Sequence, residues 1–176
     1  MSARLLQERT GADVAGWMRR IEAEGPADEP GLRAWLDGQG VTGYARWLLL
    51  RERFGYPGFM TASADELIDG QYADRPQLRP IYERIVEAAA RLGPMVIQSR
   101  KTYVSLVSPR RTFARIQPTT RSRVDLGLRI ESLAPGGRLR PYRIQDAMPL
   151  AVGLASPEEV DAEVLGLLEA AYLQNI

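Results

Sequence analysis

Apolar residues recur at helical spacing in the first third of the chain and alternate with polar ones in its middle. Residues 3–9 predict a short helix ended by Thr10-Gly11. Asp13 stands as an N-cap before Val14, Trp17, Met18 and Ile21, which fall at i, i+3, i+4 and i+7 of a second helix closed by Gly25-Pro26. Pro30 opens a third helix carrying Leu32, Trp35 and Leu36, ended by Gly38 and Gly40. Thr42 caps a fourth, from Gly43 to Phe54, that buries some of Tyr44, Trp47, Leu48 and Leu50. All three tryptophans fall in this helical part and are expected to form its small core.

Residues 55–73 are expected to be a connector. Within it, Ser63-Ala64-Asp65-Glu66 has the spacing of a capping box and predicts a turn or two of helix through Ile68. Pro76 then begins a helix whose apolar stripe is Leu78, Ile81, Tyr82, Ile85, Val86, Ala89 and Leu92, stopped by Gly93-Pro94. Strand signals follow at 95–98, 102–107 and 112–117, with Ser108-Pro109-Arg110-Arg111 as the turn between the last two. Val124, Leu126, Leu128 and Ile130 alternate strictly with Arg123, Asp125, Gly127 and Arg129, the signature of a strand with one dry and one wet face. A fifth strand is expected at 139–144 and a sixth at 150–154. Ser156-Pro157-Glu158-Glu159 reads as a capping box opening a last helix on Val160, Val164, Leu167, Leu168 and Ala171.

The expected fold is α+β. A small helical domain (1–60) and a connector (61–73) precede a domain (74–176) of helix, four to six antiparallel strands and helix. The sheet buries one face under the two helices and leaves the other wet. At 45% apolar and 26% charged residues the composition is that of an ordinary globular chain. No apolar run approaches the roughly 20 residues of a membrane span, and MSARLLQERTGADV has no signal core, so a soluble, cytoplasmic protein with no membrane partner is expected.

Histidine and cysteine are both absent. That excludes disulfides, thiolate nucleophiles, imidazole zinc sites, Ser-His-Asp triads and any side chain that titrates near neutral pH at its ordinary value. Carboxylate-held magnesium or calcium is the metal chemistry left. The cluster Asp65, Glu66 and Asp69 is better explained by charge near a helix N-terminus. The Glu-x-Lys pattern of one nuclease class fails, because Lys101 follows Ser99-Arg100. Gly136-Gly137 lacks the lysine and helix of a phosphate loop. No motif implies a cofactor.

The net charge is only +1, yet it is unevenly spread. Residues 96–143 hold eleven Arg/Lys against Asp125 and Glu131, while residues 144–176 hold six acids and no base. Twenty-two of the 23 basic residues are arginine, a permanent cation suited to clamping carboxylate or phosphate. With Ala114 and Ile116 inward, Phe113, Arg115 and Gln117 are expected outward, with Arg123 and Arg129 beside them on the next strand. Arg100, Lys101, Arg110, Arg111 and Arg121 stand at strand ends or turns nearby, and Tyr103, opposite in alternation to Val104 and Leu106, is expected to look into whichever pocket the strands enclose. These residues are the expected site of a non-catalytic binding module whose Arg-rich sheet face engages an anionic small molecule, a partner or the acidic helical domain. Two alternatives stay open. One is a nucleic-acid-binding accessory protein, against which the pI of about 8.0 counts. The other is an enzyme working with carboxylates and arginine, with or without magnesium and without histidine or cysteine.

Several strings resemble known bacterial families. QYADRPQLRPIYERI, RLGP, KTYVSL, FARIQP, RVDLGL and VDAEVLGLLEAAY, in that order, resemble the domain of unknown function numbered 5655, and residues 3–60 resemble the one numbered 4287. Members of the latter usually have a glycine-histidine pair where this chain reads Gly40-Val41-Thr42-Gly43. Members of the former often have a histidine where it reads Met148-Pro149-Leu150-Ala151. The resemblance implies the fold above, and an activity resting on either histidine would be missing here.

Overall fold

The computed structural model describes residues 2–142 and 148–176, so part of the expected fifth strand lies outside the described residues. The chain divides into two compact units, Met1–Thr61 and Ala62–Ile176. Each has its own core.

The first unit is helical: α1 (Ser2–Thr10), α2 (Val14–Glu24), α3 (Glu29–Gly38), α4 (Gly43–Phe54) and the short α5 (Gly58–Thr61). Asp13 caps α2 by accepting from the Gly16 amide at 2.7 Å. Asp28 does the same for α3 through the Gly31 amide at 2.8 Å, so this helix begins before Pro30. The core gathers Leu6, Trp17, Ile21, Leu32, Leu36, Val41, Leu49 and Leu50. Each large aliphatic side chain removed from water here contributes about 1.5–3 kcal/mol. Trp17 is buried and donates its indole N–H to Thr10 Oγ1 at 2.8 Å. Of the four candidates in α4, Leu48 and Leu50 are buried, while Tyr44 is 54% exposed, because Ala45, Leu48 and Leu49 take the inner face.

The second unit opens with α6 (Ala64–Tyr72), inside the expected connector. Ser63 and Glu66 form the capping box, with both reciprocal bonds made. The helix outruns Ile68 because Ile68 and Tyr72, four apart, both reach the core under the sheet. A 3-10 turn at Pro76–Leu78 leads into α7 (Arg79–Ala90), after which come β1 (Val96–Ser99), β2 (Val104–Val107), β3 (Thr112–Pro118), β4 (Val124–Leu128), β5 (Arg140–Pro141) and β6 (Leu150–Leu154). Ser156-Pro157-Glu158-Glu159 makes a 3-10 turn rather than the start of the last helix. That turn drives Val160 into the core, and α8 (Ala162–Leu173) starts afresh on Asp161, whose carboxylate accepts from the Val164 amide at 3.1 Å.

The described strands make one antiparallel sheet in the order β1-β2-β3-β4-β6-β5. The row Val104, Ile116, Leu126 and Val152 crosses the sheet on the core side, where Ile81, Ile85, Val164 and Leu168 meet it from α7 and α8. The row Gln98, Ser105, Arg115, Gly127, Ala151 and Arg140 crosses the opposite face. Phe113 departs from simple alternation. Leu106 pairs with Ala114 and Val107 with Thr112, leaving Phe113 as the extra residue of a bulge. The bulge turns its ring inward, fully buried and edge-on to Tyr172 with centroids 5.2 Å apart.

Candidate functional site

The expected site residues fall into three groups on the sheet. Antiparallel pairing brings the β1–β2 turn and the β3–β4 turn to the same end, because Ser99 pairs with Val104 and Pro118 with Val124. Arg100, Lys101, Arg121 and Arg123 therefore share one end. Arg110, Arg111 and Arg129 lie at the other end, five or six residues away along the strands, which is roughly 20 Å. Arg115 and Gln117 occupy the middle of the outer face.

That middle is not the wet surface expected from alternation. Arg115 is only 8% exposed, and its guanidinium lies 3.6 Å from the centre of the Tyr103 ring. Asp125 is 1% exposed and pairs with two arginines, Arg123 through Nε at 2.9 Å and Arg140. The Tyr142 ring packs against Gly127 and joins Met148 and Ala151 in a small apolar cluster. Burial pushes the Tyr142 phenol above its ordinary pKa, and the hydroxyl donates to Gln117 Oε1 at 3.2 Å. The outer face thus satisfies much of its own polarity. At the far end, Glu131 lies 3.6 Å from Arg111, and Arg129 donates to the Thr112 carbonyl at 2.9 Å instead of lining up with Arg115. Arg110 is exposed there.

The near end is built differently. Arg100, Lys101 and Arg121 are exposed and Arg123 is half-buried. Three side chains, one from the last turn of α6 and two from the stretch before α7, tie down the backbone that carries them. Gln71 donates from Nε2 to the carbonyls of Arg100, at 2.8 Å, and Tyr103, at 3.3 Å. Arg75 donates from Nη1 to the carbonyls of Pro118 and Thr120 at 2.9 and 3.1 Å, and Gln77 donates to the Arg121 carbonyl at 2.7 Å. The remaining nitrogens of Arg75 form a fork onto Asp74, at 2.7 and 3.0 Å, which holds that carboxyl below the usual range. Between the clamp and the turns lies a cleft of about 290 Å³ lined by Gly70, Gln71, Asp74, Arg75, Lys101, Thr102 and Pro118.

Gln71, Asp74, Arg75 and Thr102 were not among the expected site residues. The signal for the first three is the string QYADRPQL, which spans the end of α6 and the stretch before α7, whereas nothing in the sequence singles out Thr102. Two larger hollows, about 410 and 440 Å³, run along α7 and α8 beside Leu165, rimmed by charges of both signs. Among the described residues no three acidic side chains converge to hold a metal ion, and no helix is long and apolar enough to cross a membrane.

No curated protein and no solved structure matches the chain. Residues 68–175 match the model of the family described as Domain of unknown function (DUF5655). The match begins inside α6, takes in the turn clamp and the whole described sheet, and ends beyond α8, so it spans well over half of the sequence. The protein belongs to the DUF5655 family.

Proposed function

We propose that the second unit is a cytoplasmic, non-catalytic binding module that holds an anionic ligand at the end of the sheet formed by the β1–β2 and β3–β4 turns. One observation carries this reading. Exposed Arg100, Lys101 and Arg121 stand on two neighbouring turns whose backbone is fixed by Gln71, Arg75 and Gln77. Exposed turns left to themselves are mobile, and a mobile cation loses entropy when it binds. Here that ordering is already supplied by donors aimed at turn carbonyls. The far end, with the Arg111–Glu131 pair and Arg129 turned onto Thr112, offers less net positive charge.

The geometry favours a small anion over a nucleic acid laid across the sheet. Base stacking needs open aromatic faces. Tyr142 is buried, and Arg115 already occupies a face of Tyr103. For the helical unit we retain the reading as a relative of the domain of unknown function numbered 4287, supported by the sequence of residues 3–60 alone.

The test is the affinity for adenosine triphosphate and for a short single-stranded oligonucleotide at about 50 and 300 mM salt, a range over which charge-driven binding weakens steeply. Binding at low salt that is lost in Arg121→Glu and retained in Arg110→Glu supports the near-end site. Equal loss in both variants, or no binding at low salt, refutes it.

A further inference from the structure

Resting on that reading of the near end as an anion site, we infer that its cleft takes a small phosphorylated polyol of the sugar-phosphate class, with the phosphate on the turn cations and hydroxyls on acceptors at the cleft. Cations alone would suit any anion. The acceptors narrow the class.

Gln71 lines the cleft and is 6% exposed. Its amide orientation is fixed, because Nε2 faces two carbonyls and only a donor can do so. That leaves Oε1 buried with no hydrogen-bond partner. Having almost no accessible surface, that oxygen gains a donor only where the cleft wall yields to the ligand. Asp74 supplies a second acceptor. Its carboxylate takes the Arg75 fork on two of its lone pairs and keeps the others for solvent or a ligand, the side chain being 55% exposed.

The ligand must therefore present hydrogen-bond donors beside its anionic group. An ammonium donor would sit beside Lys101 and Arg75, both lining the cleft, and be repelled, so the donors are neutral hydroxyls. Several cations gathered at two adjacent turns suit a phosphate dianion better than a single carboxylate. Among the lining side chains none is aromatic, so a nucleobase finds no stacking partner there. The volume of about 290 Å³ lies at the small end for ligand pockets, in keeping with one sugar phosphate. Thr102 completes the set with a hydroxyl that both donates and accepts.

The experiment is calorimetric titration of the full-length protein at about 50 mM salt with inorganic phosphate, ribose 5-phosphate, glucose 6-phosphate, glycerol 3-phosphate and unphosphorylated ribose. At least one of the three phosphorylated polyols is expected to bind roughly tenfold tighter than inorganic phosphate, with ribose much weaker. Asp74→Ala should weaken that ligand about fivefold while leaving phosphate unchanged or tighter, since the carboxylate accepts from hydroxyls and repels the anion. A merely structural role for Asp74 would move both affinities in the same direction, and that result overturns the inference. Equal affinity for phosphate and all three polyol phosphates also overturns it while leaving the anion site standing. Absence of binding by every anion overturns both.

Discussion

The guanidinium of Arg115 lies 3.6 Å from the centre of the Tyr103 ring, across the outer face of a sheet whose other face is the main core. Register explains the meeting. Arg115 pairs with Ser105, and Tyr103 lies two residues before Ser105 on the same side. Such a contact, largely removed from water, is worth on the order of 1–2 kcal/mol. In a cycle of Tyr103→Leu, Arg115→Met and the double variant, urea unfolding should give a coupling energy of about that size. A coupling near zero would mean the two side chains share a neighbourhood without supporting each other.

Gly127 and Gly153 occupy the outer face for different reasons. A Cβ at Gly127 would come within 2.7 Å of the Tyr142 ring, a rigid and buried group. At Gly153 the nearest atom, at 2.9 Å, is Cδ of Arg123, a flexible side chain 44% exposed. Gly127→Ala is therefore expected to cost about 2–3 kcal/mol, and Gly153→Ala under about 1 kcal/mol. Adding Tyr142→Leu should make the Gly127→Ala change nearly neutral. Equal melting temperatures for the two single alanine variants would contradict this account.

Asp125 is the acid on which two arginines of the outer face converge. Removing it leaves Arg123 and Arg140 facing each other without their counter-charge. Both arginines are more than 40% exposed and recover some hydration, so the loss should be about 2 kcal/mol, below that of a fully buried pair. Arg140→Met should cost less than Asp125→Ala, because Arg123 still neutralises the acid. Chemical denaturation orders the two variants, and the reverse order would show that Arg140 has another structural role.

What the sequence discloses here depends on how local the deciding physics is. Alternation from Val124 to Ile130 needs only neighbouring residues to be read, and Val124, Leu126 and Leu128 lie on the core face as alternation requires. The capping box at Ser63 and the N-cap at Asp13 are equally local. Phe113 defeats the same rule because a bulge depends on the partner strand, whose register is set across the sheet. The burial of Arg115 was likewise hidden, since it depends on Tyr103 from another strand. The near-end cluster was legible as charge, but its clamp was not. Gln71, Arg75 and Gln77 act on carbonyls 29 to 45 residues away, which no periodicity records.

Arg75→Met should loosen the near end without touching the core. Its Nη1 bonds the carbonyls of Pro118 and Thr120, while its other nitrogens engage Asp74. Loss of two charge-assisted bonds to a turn costs about 1.5–3 kcal/mol each at most, felt locally. Hydrogen exchange of amides 119–123 should accelerate at least about tenfold while those of β3 and β4 stay protected. Uniform acceleration across the sheet would identify Arg75 as a determinant of global stability instead.

Stability should be flat through neutral pH and fall on both sides. With no histidine, no side chain has an ordinary pKa near 7. Hydrogen bonds from Arg75 hold Asp74 low, and backbone or serine donors do the same for Glu66, Glu158 and Asp161. A depressed carboxyl contributes stability above its unfolded value of about 4, lost as the pH falls through the folded one. Burial raises the phenols of Tyr72, Tyr82 and Tyr142, so their contribution is complete below about pH 10 and is lost as the pH climbs past it. Tyr72 is the most informative of the three, because its hydroxyl is buried with no hydrogen-bond partner. Tyr72→Phe should leave the neutral urea midpoint unchanged or slightly higher and reduce the alkaline loss. A midpoint that shifts between pH 6 and 8, or a Tyr72→Phe variant markedly weaker at pH 7, would contradict this assignment.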